Sequence, residues 1–197
     1  MSNKIFALLA VALGAVALLA ICIIVLLNKR SVVPITPTLP PPKTQIDQFM
    51  DLAATLTKTP KGIKELNLYL TPVKGSQALS ALALKVTVTD PQGTITPLAS
   101  TAKIPKVLTA AGWKFPFSKI ASPAKNALEL NLSAIFATPQ PYLVENRLLI
   151  ASIPLTSKND TLTVTIDPTV TKVLDKQNRE IGLQQINQPL TVTAVLQ

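Results

Sequence analysis

A chain of 197 residues with a formal charge of +9, no histidine and one cysteine rules out several chemistries before any motif is read. Without histidine there is no Ser-His-Asp catalysis and no His-ligated zinc, and the lone Cys22 leaves no disulfide to staple a soluble part. Hydrophobic residues reach 48% and charged residues only 15%, poor material for a charged helical bundle and good material for half-buried strands.

The first element is Ile5 to Leu27, an apolar run without charge or proline. As a helix it measures about 34 Å, enough to cross a hydrocarbon core of ~30 Å. The run is too long for a signal-peptide core, and no A-x-A site follows it. The sequence therefore predicts an uncleaved, single-pass signal-anchor over 5–27 behind a short cytoplasmic segment, 1–4. Lys4 and the amino terminus balance Lys29 and Arg30, so flanking charge does not choose an orientation. The plan of short polar start, anchor and large β-rich domain predicts a cell-membrane protein with its C-terminal domain outside. A lipoprotein reading of Cys22 fails, because Ile21 is too large for the position before a lipidated cysteine and the apolar run continues past it. Ala7, Ala10, Gly14 and Ala17 fall on one helical face. Such a stripe of small residues predicts weak homo-oligomers through close helix approach; the competing account is that Ala and Gly are common in membrane helices.

Residues 28–43 form a linker. Pro34, Pro37, Pro40, Pro41 and Pro42 forbid helix and favour polyproline II, a semi-rigid spacer of roughly 40 Å. One domain follows, 44–197. Thr44 and Asp47 have capping-box spacing, so Thr44 to Asp51 is expected to be a helical turn or an irregular lead-in.

Period two then takes over. Leu52 to Thr59 alternates loosely and stops at Pro60-Lys61-Gly62. Leu66, Leu68 and Leu70 alternate with polar residues, as do Leu82, Leu84, Val86 and Val88, up to a turn at Asp90-Pro91-Gln92-Gly93. Further strands are predicted over 94–99, 113–120, 127–136, 147–155, 162–167, 169–174 and 190–196, with a turn of helix over Lys106 to Ala111. Strict alternation with one polar face describes antiparallel sheets buried on one side. The fold class expected is all-β, an antiparallel two-sheet sandwich of about nine strands.

The chemistry-bearing candidates are few. Ser122-x-x-Lys125 has the spacing of some acyl-transferring enzymes, but Pro123 sits inside a motif that needs a helix. Asp90, Asp160, Asp167 and Asp175 lie at strand ends, where turn capping accounts for them, and no EF-hand-like run accompanies them. Trp113, Phe115 and Phe117 alternate with Lys114 and Pro116, so all three rings are placed on one buried face, with a ligand-stacking platform as the alternative. Tyr69 and Tyr142 are the better candidates for exposed rings. Aromatics at 4% argue against a flat glycan-binding surface, and no Lys/Arg run interleaves with aromatics as a nucleic-acid groove needs.

Several motifs resemble a cohesin-type domain, a jelly-roll sandwich related to certain cellulose-binding modules. They are the strand Leu82 to Val88 running into Asp90-Pro91, then Gly112-Trp113-x-Phe115, then the apolar series Leu148 to Leu155. Leu162 to Asp167, Val173-Leu174-Asp175 and Leu190-Thr191-Val192 complete the set. The resemblance covers about 53–196. It departs at Thr89, where relatives carry an aromatic, and at Asn178, which replaces a turn glycine. The resemblance implies a jelly-roll and a protein partner of dockerin type, bound on a sheet face.

The expected function is a membrane-anchored cell-surface binding or adhesion module that recognises a protein through a sheet face. Two alternatives stand beside it: a carbohydrate-binding module for wall or extracellular glycan, and a self-assembling structural component. No enzyme activity, metal or cofactor is expected. The binding candidates are Tyr69, Trp113 and Tyr142.

Overall fold

The computed structural model describes residues 49–184 and 186–196. The anchor expected over 5–27, its Ala7, Ala10, Gly14 and Ala17 stripe, and the linker over 28–43 lie outside these residues. Among the described residues no helix is long and apolar enough to cross a membrane.

Alternation in the sequence becomes burial in the fold. β1 (Phe49–Lys58), β2 (Lys64–Pro72), β9 (Leu148–Ser157) and β5 (Ile95–Pro97) pair in that order as a front sheet. β6 (Trp113–Ala124), β7 (Ala127–Phe136) and β4 (Ala81–Thr89) form the back sheet. β10 (Thr161–Ile166) and β11 (Lys172–Leu174) lie end to end along the other side of β4. Leu66, Leu68 and Leu70 of β2 meet Leu84, Val86 and Val88 of β4, and Leu128, Leu130 and Leu132 of β7, in one core. Each such leucine contributes about 1.5–3 kcal/mol by leaving water.

The two sheets are joined along β1. β13 (Leu190–Leu196) pairs antiparallel with β10 and then runs parallel to β1, with Leu56 opposite Ala194. β12 (Glu180–Gln184) does the same from β11, with Phe49 opposite Gly182. The sandwich is thus all-β but not wholly antiparallel, because both crossing strands reach β1 in parallel.

The described residues hold thirteen strands rather than about nine. The additions are short: β3 (Gln77–Leu79) and β8 (Tyr142–Val144), which pair only with each other, and β12. Three to five residues are too few for alternation to register. Phe49 to Asp51, expected in a helical turn or lead-in, is strand instead. It is paired on both sides, and Met50 is fully buried. Residues 169–171, expected as strand, turn around Asp167, whose carboxylate accepts from the Thr169 amide and hydroxyl. α1 (Lys106–Ala111) falls where the sequence places it, ends at Gly112 with φ of 107°, and buries Leu108. Asn178 adopts φ of 59°, the left-handed backbone that the missing glycine would have supplied.

Candidate functional site

The outward face of the back sheet is read most directly from its register. One row across the strands is Lys114, Ile135, Ala81, Leu174 and Glu180. The next is Phe117, Ser133, Ala83 and Lys172, followed by Lys119, Asn131 and Lys85. Beyond these come Ala121, Glu129, Thr87 and Thr165, then Thr89, Thr163 and Thr191. Ala81, Ala83 and Ser133 give the end of this face nearest Ile135 and Phe117 a low relief. Phe117 and Ile135 stand at one side, 50% and 48% exposed.

Phe117 stands outward because β6 is bulged. The pairing with β7 jumps between Lys114 and Phe117, so Phe115 and Pro116 reset the alternation. Trp113 and Ile120 point in, while Phe117 points out. The three rings expected on one buried face are therefore split: Trp113 is buried, Phe115 partly buried and Phe117 exposed.

The centre of the face is polar. Lys85 Nζ lies 3.6 Å from Glu129 and 3.5 Å from Asp167, and Asn131 donates to Glu129 at 2.7 Å. Thr169 and then Lys85 hold the Asp167 carboxyl below its ordinary value. At the rim Lys172 and Glu180 pair at 2.7 Å.

The aromatic candidates lie elsewhere. Trp113 is 3% exposed and packs with Phe136 and Tyr142, at ring-centroid distances of 5.4 and 5.7 Å. Trp113 and Tyr142 thus share a core-edge cluster, with Tyr142 partly exposed. Tyr69 sits on the front sheet opposite Ala53 and Leu149, and its ring face is covered by the Arg147 guanidinium 3.7 Å away. The three do not form one exposed plane, as a flat sugar-stacking surface requires.

The strand-end aspartates have internal partners. Asp90, fully buried, accepts from Ser157 and Asn159 at 2.5 Å each and from the Gln92 amide. Burial alone would raise its carboxyl; these donors and Gly93 outweigh that and hold it below the ordinary value. Asp175 is held low against its burial by Arg179 and Gln177. Asp160 accepts from Lys58 and Lys64, which lower it in that order. Lys64 is 1% exposed, and its ammonium also donates to the carbonyls of Ser157 and Asn159, so three acceptors meet three protons. This polar corner ties the β4–β5 and β9–β10 turns to β2. Among the described residues no three metal-ligating side chains converge. A core cavity of about 10 Å³ among Leu52, Leu70, Leu84, Ile150 and Val173 has room for no more than one water.

Sequence reasoning expected a sheet face but did not locate it on the strands. The one signal present was the run of Ala, Ser and Thr at polar-face positions of β4 and β7, too small for a surface that only needs solubility.

No family model matches the chain, and no curated protein matches it. Among solved structures it is similar to a type III cohesin module of a cell-surface anchoring scaffoldin from Ruminococcus flavefaciens. That match has 11% identity and a TM-score of 0.47, covering 76% of this chain and 89% of that one. It is also similar to the cohesin CaCohA2 from Clostridium acetobutylicum, with 11% identity, a TM-score of 0.46 and coverage of 75% and 92%. A non-cellulosomal cohesin from Archaeoglobus fulgidus matches with 7% identity, a TM-score of 0.45 and coverage of 74% and 91%.

Proposed function

We propose that this domain is a non-catalytic docking module that binds a protein on the outward face of its back sheet. The observation that carries this is the combination of Ala81, Ala83 and Ser133 at one end of the face with half-exposed Phe117 and Ile135 beside them. Flat, low relief with apolar anchors suits a folded partner, whereas a small ligand needs a concave pocket. Strands ~4.8 Å apart with ~3.3 Å per residue give five strands of nine residues an area of about 700 Å². That is close to the ~800 Å² each partner contributes to a stable complex.

The apolar run Ile5 to Leu27 serves as the tether, and the Pro-rich linker holds the module away from the bilayer on the outer side of the cell membrane. Protease added to intact cells should then remove residues 44–197; complete protection would sink this orientation. Weak self-association belongs to the Ala7, Ala10, Gly14 and Ala17 stripe, and Gly14→Leu should reduce it in a membrane dimerisation assay.

The docking test uses the full chain in nanodiscs, exposed to surface proteins and soluble wall polysaccharide. One protein retained by the native chain and lost with Ala83→Arg supports the reading. Equal retention by both chains removes the face from the account, and capture of glycan alone replaces the protein partner.

A further inference from the structure

The unpaired charge of the proposed docking face lies along its β6 edge. From residue 91 to residue 128 the chain has no acidic residue and five lysines: Lys103, Lys106, Lys114, Lys119 and Lys125. Six basic side chains, Lys103 and the face's own Lys85 and Lys172 among them, are paired within the fold. Asp160 holds Lys58 and Lys64, Asp167 and Glu129 hold Lys85, Glu65 holds Lys103, Glu180 holds Lys172 and Asp175 holds Arg179.

On β6 the pattern changes. Lys114 and Lys119 are exposed and make no salt bridge with any described residue. They stand opposite Ile135 and Asn131, four positions apart on β7, or about 13 Å. Phe117 lies between them, opposite Ser133. At that spacing, beyond the Debye length of about 8 Å at physiological salt, the two ammonium groups act as separate positive points, one on each side of Phe117.

Edge-strand defence explains part of this. Lysines and prolines on an edge keep other strands from pairing with it, and β6 carries Pro116 and Pro123 as well. That account gives no reason for a half-exposed phenylalanine between the lysines. A docking site does, with an apolar anchor flanked by charges that select the partner and steer its approach.

We infer that the partner docking on this face is an acidic protein, seating an apolar side chain beside Phe117 and placing carboxylates against Lys114 and Lys119. The inference rests on the docking reading above and adds the partner's chemistry to it. A second copy of this chain, itself +9, does not fit.

The test titrates poly-L-glutamate into the isotope-labelled full chain in zwitterionic nanodiscs and reads backbone amide shifts. Shifts should concentrate in 113–121 and 131–135. Lys114→Glu with Lys119→Glu should weaken binding at least tenfold. The equally charged control, Lys61→Glu with Lys158→Glu in the end turns, should change it less than twofold. Equal losses in the two pairs would mean a response to net charge and overturn the inference, as would an absence of binding at low salt. Tighter binding of polyphosphate, or of phosphatidylglycerol vesicles, through the same amides would also overturn it by assigning the site to phosphate rather than to an acidic protein.

The captured partner separates this inference from the reading beneath it. If Ala83→Arg abolishes capture and the Lys114/Lys119 reversal does not, the docking face stands and the acidic partner falls. If neither change matters, both fall.

Discussion

The outer faces of the two sheets are built alike and resolve their side chains differently. On the front sheet the polar groups answer one another. Ser152 donates to Asn67 at 2.6 Å and both are buried, Lys103 pairs with Glu65, and Arg147 covers Tyr69. On the back sheet the centre is settled by Lys85, Glu129 and Asp167, but the β6 side leaves Phe117 and Ile135 half-exposed and Lys114 and Lys119 without a salt bridge to any described residue. A face that satisfies itself contributes to stability; a face that does not is available to something else. Substitutions on the front sheet should therefore lower folding stability, and substitutions on the β6 side should lower binding alone.

The largest effect is expected at Lys64→Ala, on the front sheet's inner end. It removes a buried ammonium that satisfies two carbonyls and a carboxylate. Leaving buried carbonyls without their donor costs about 1–3 kcal/mol each. Urea denaturation measures this, and a loss under 1 kcal/mol would show that the corner is not structural. Next is Asn67→Ala, which leaves the buried Ser152 hydroxyl without its acceptor and should cost about 1–3 kcal/mol while leaving partner binding unchanged. Arg147→Ala uncovers Tyr69 and should cost only about 0.5–1 kcal/mol. Smallest in stability is Phe117→Ala, within about 0.5 kcal/mol of native in the same assay. Its binding loss should be at least tenfold. A stability loss above 1 kcal/mol would erase the contrast between the faces.

Acid sharpens the comparison from another side. Asp90, Asp160, Asp167 and Asp175 all titrate below the ordinary 3.8 when folded. The sign follows from linkage. A depressed carboxyl contributes stability that is fully present above its unfolded value and is lost as pH falls through the folded one. Thermal melts should be level from pH 7 to about pH 5 and fall below about pH 4. Asp90→Asn should lower the plateau and flatten the fall. An unchanged melt at pH 3 would contradict these shifts.

Much of the fold is legible in the chain. β7 and β13 fall on the predicted residues, and α1 occupies the span that the sequence reserves for it. Long alternation made that possible, since Leu128, Leu130 and Leu132 admit only one face-in register. β3, β8 and β12 stay hidden because three to five residues carry no period, and the parallel contacts of β1 depend on strands more than 130 positions away. The candidate site was less legible. Rare aromatics draw attention to Tyr69, Trp113 and Tyr142, yet the outward turn of Phe117 depends on a bulge at Phe115 and Pro116 that no alternation announces. Ala81, Ala83 and Ser133 become a surface only when β4 and β7 are set side by side.

The parallel pairing of β1 has a mechanical meaning. Phe49 begins β1 at one end of the sandwich, and Leu196 closes β13 at the other, beside Lys58. A pull between these two points slides the strands along each other rather than peeling them apart. The hydrogen bonds of β13 on β1 then carry the load together, while those of β12 grip the far end of β1. Force between these points should thus meet a single high barrier in a single-molecule trace, where a peeling geometry would give way bond by bond at low force.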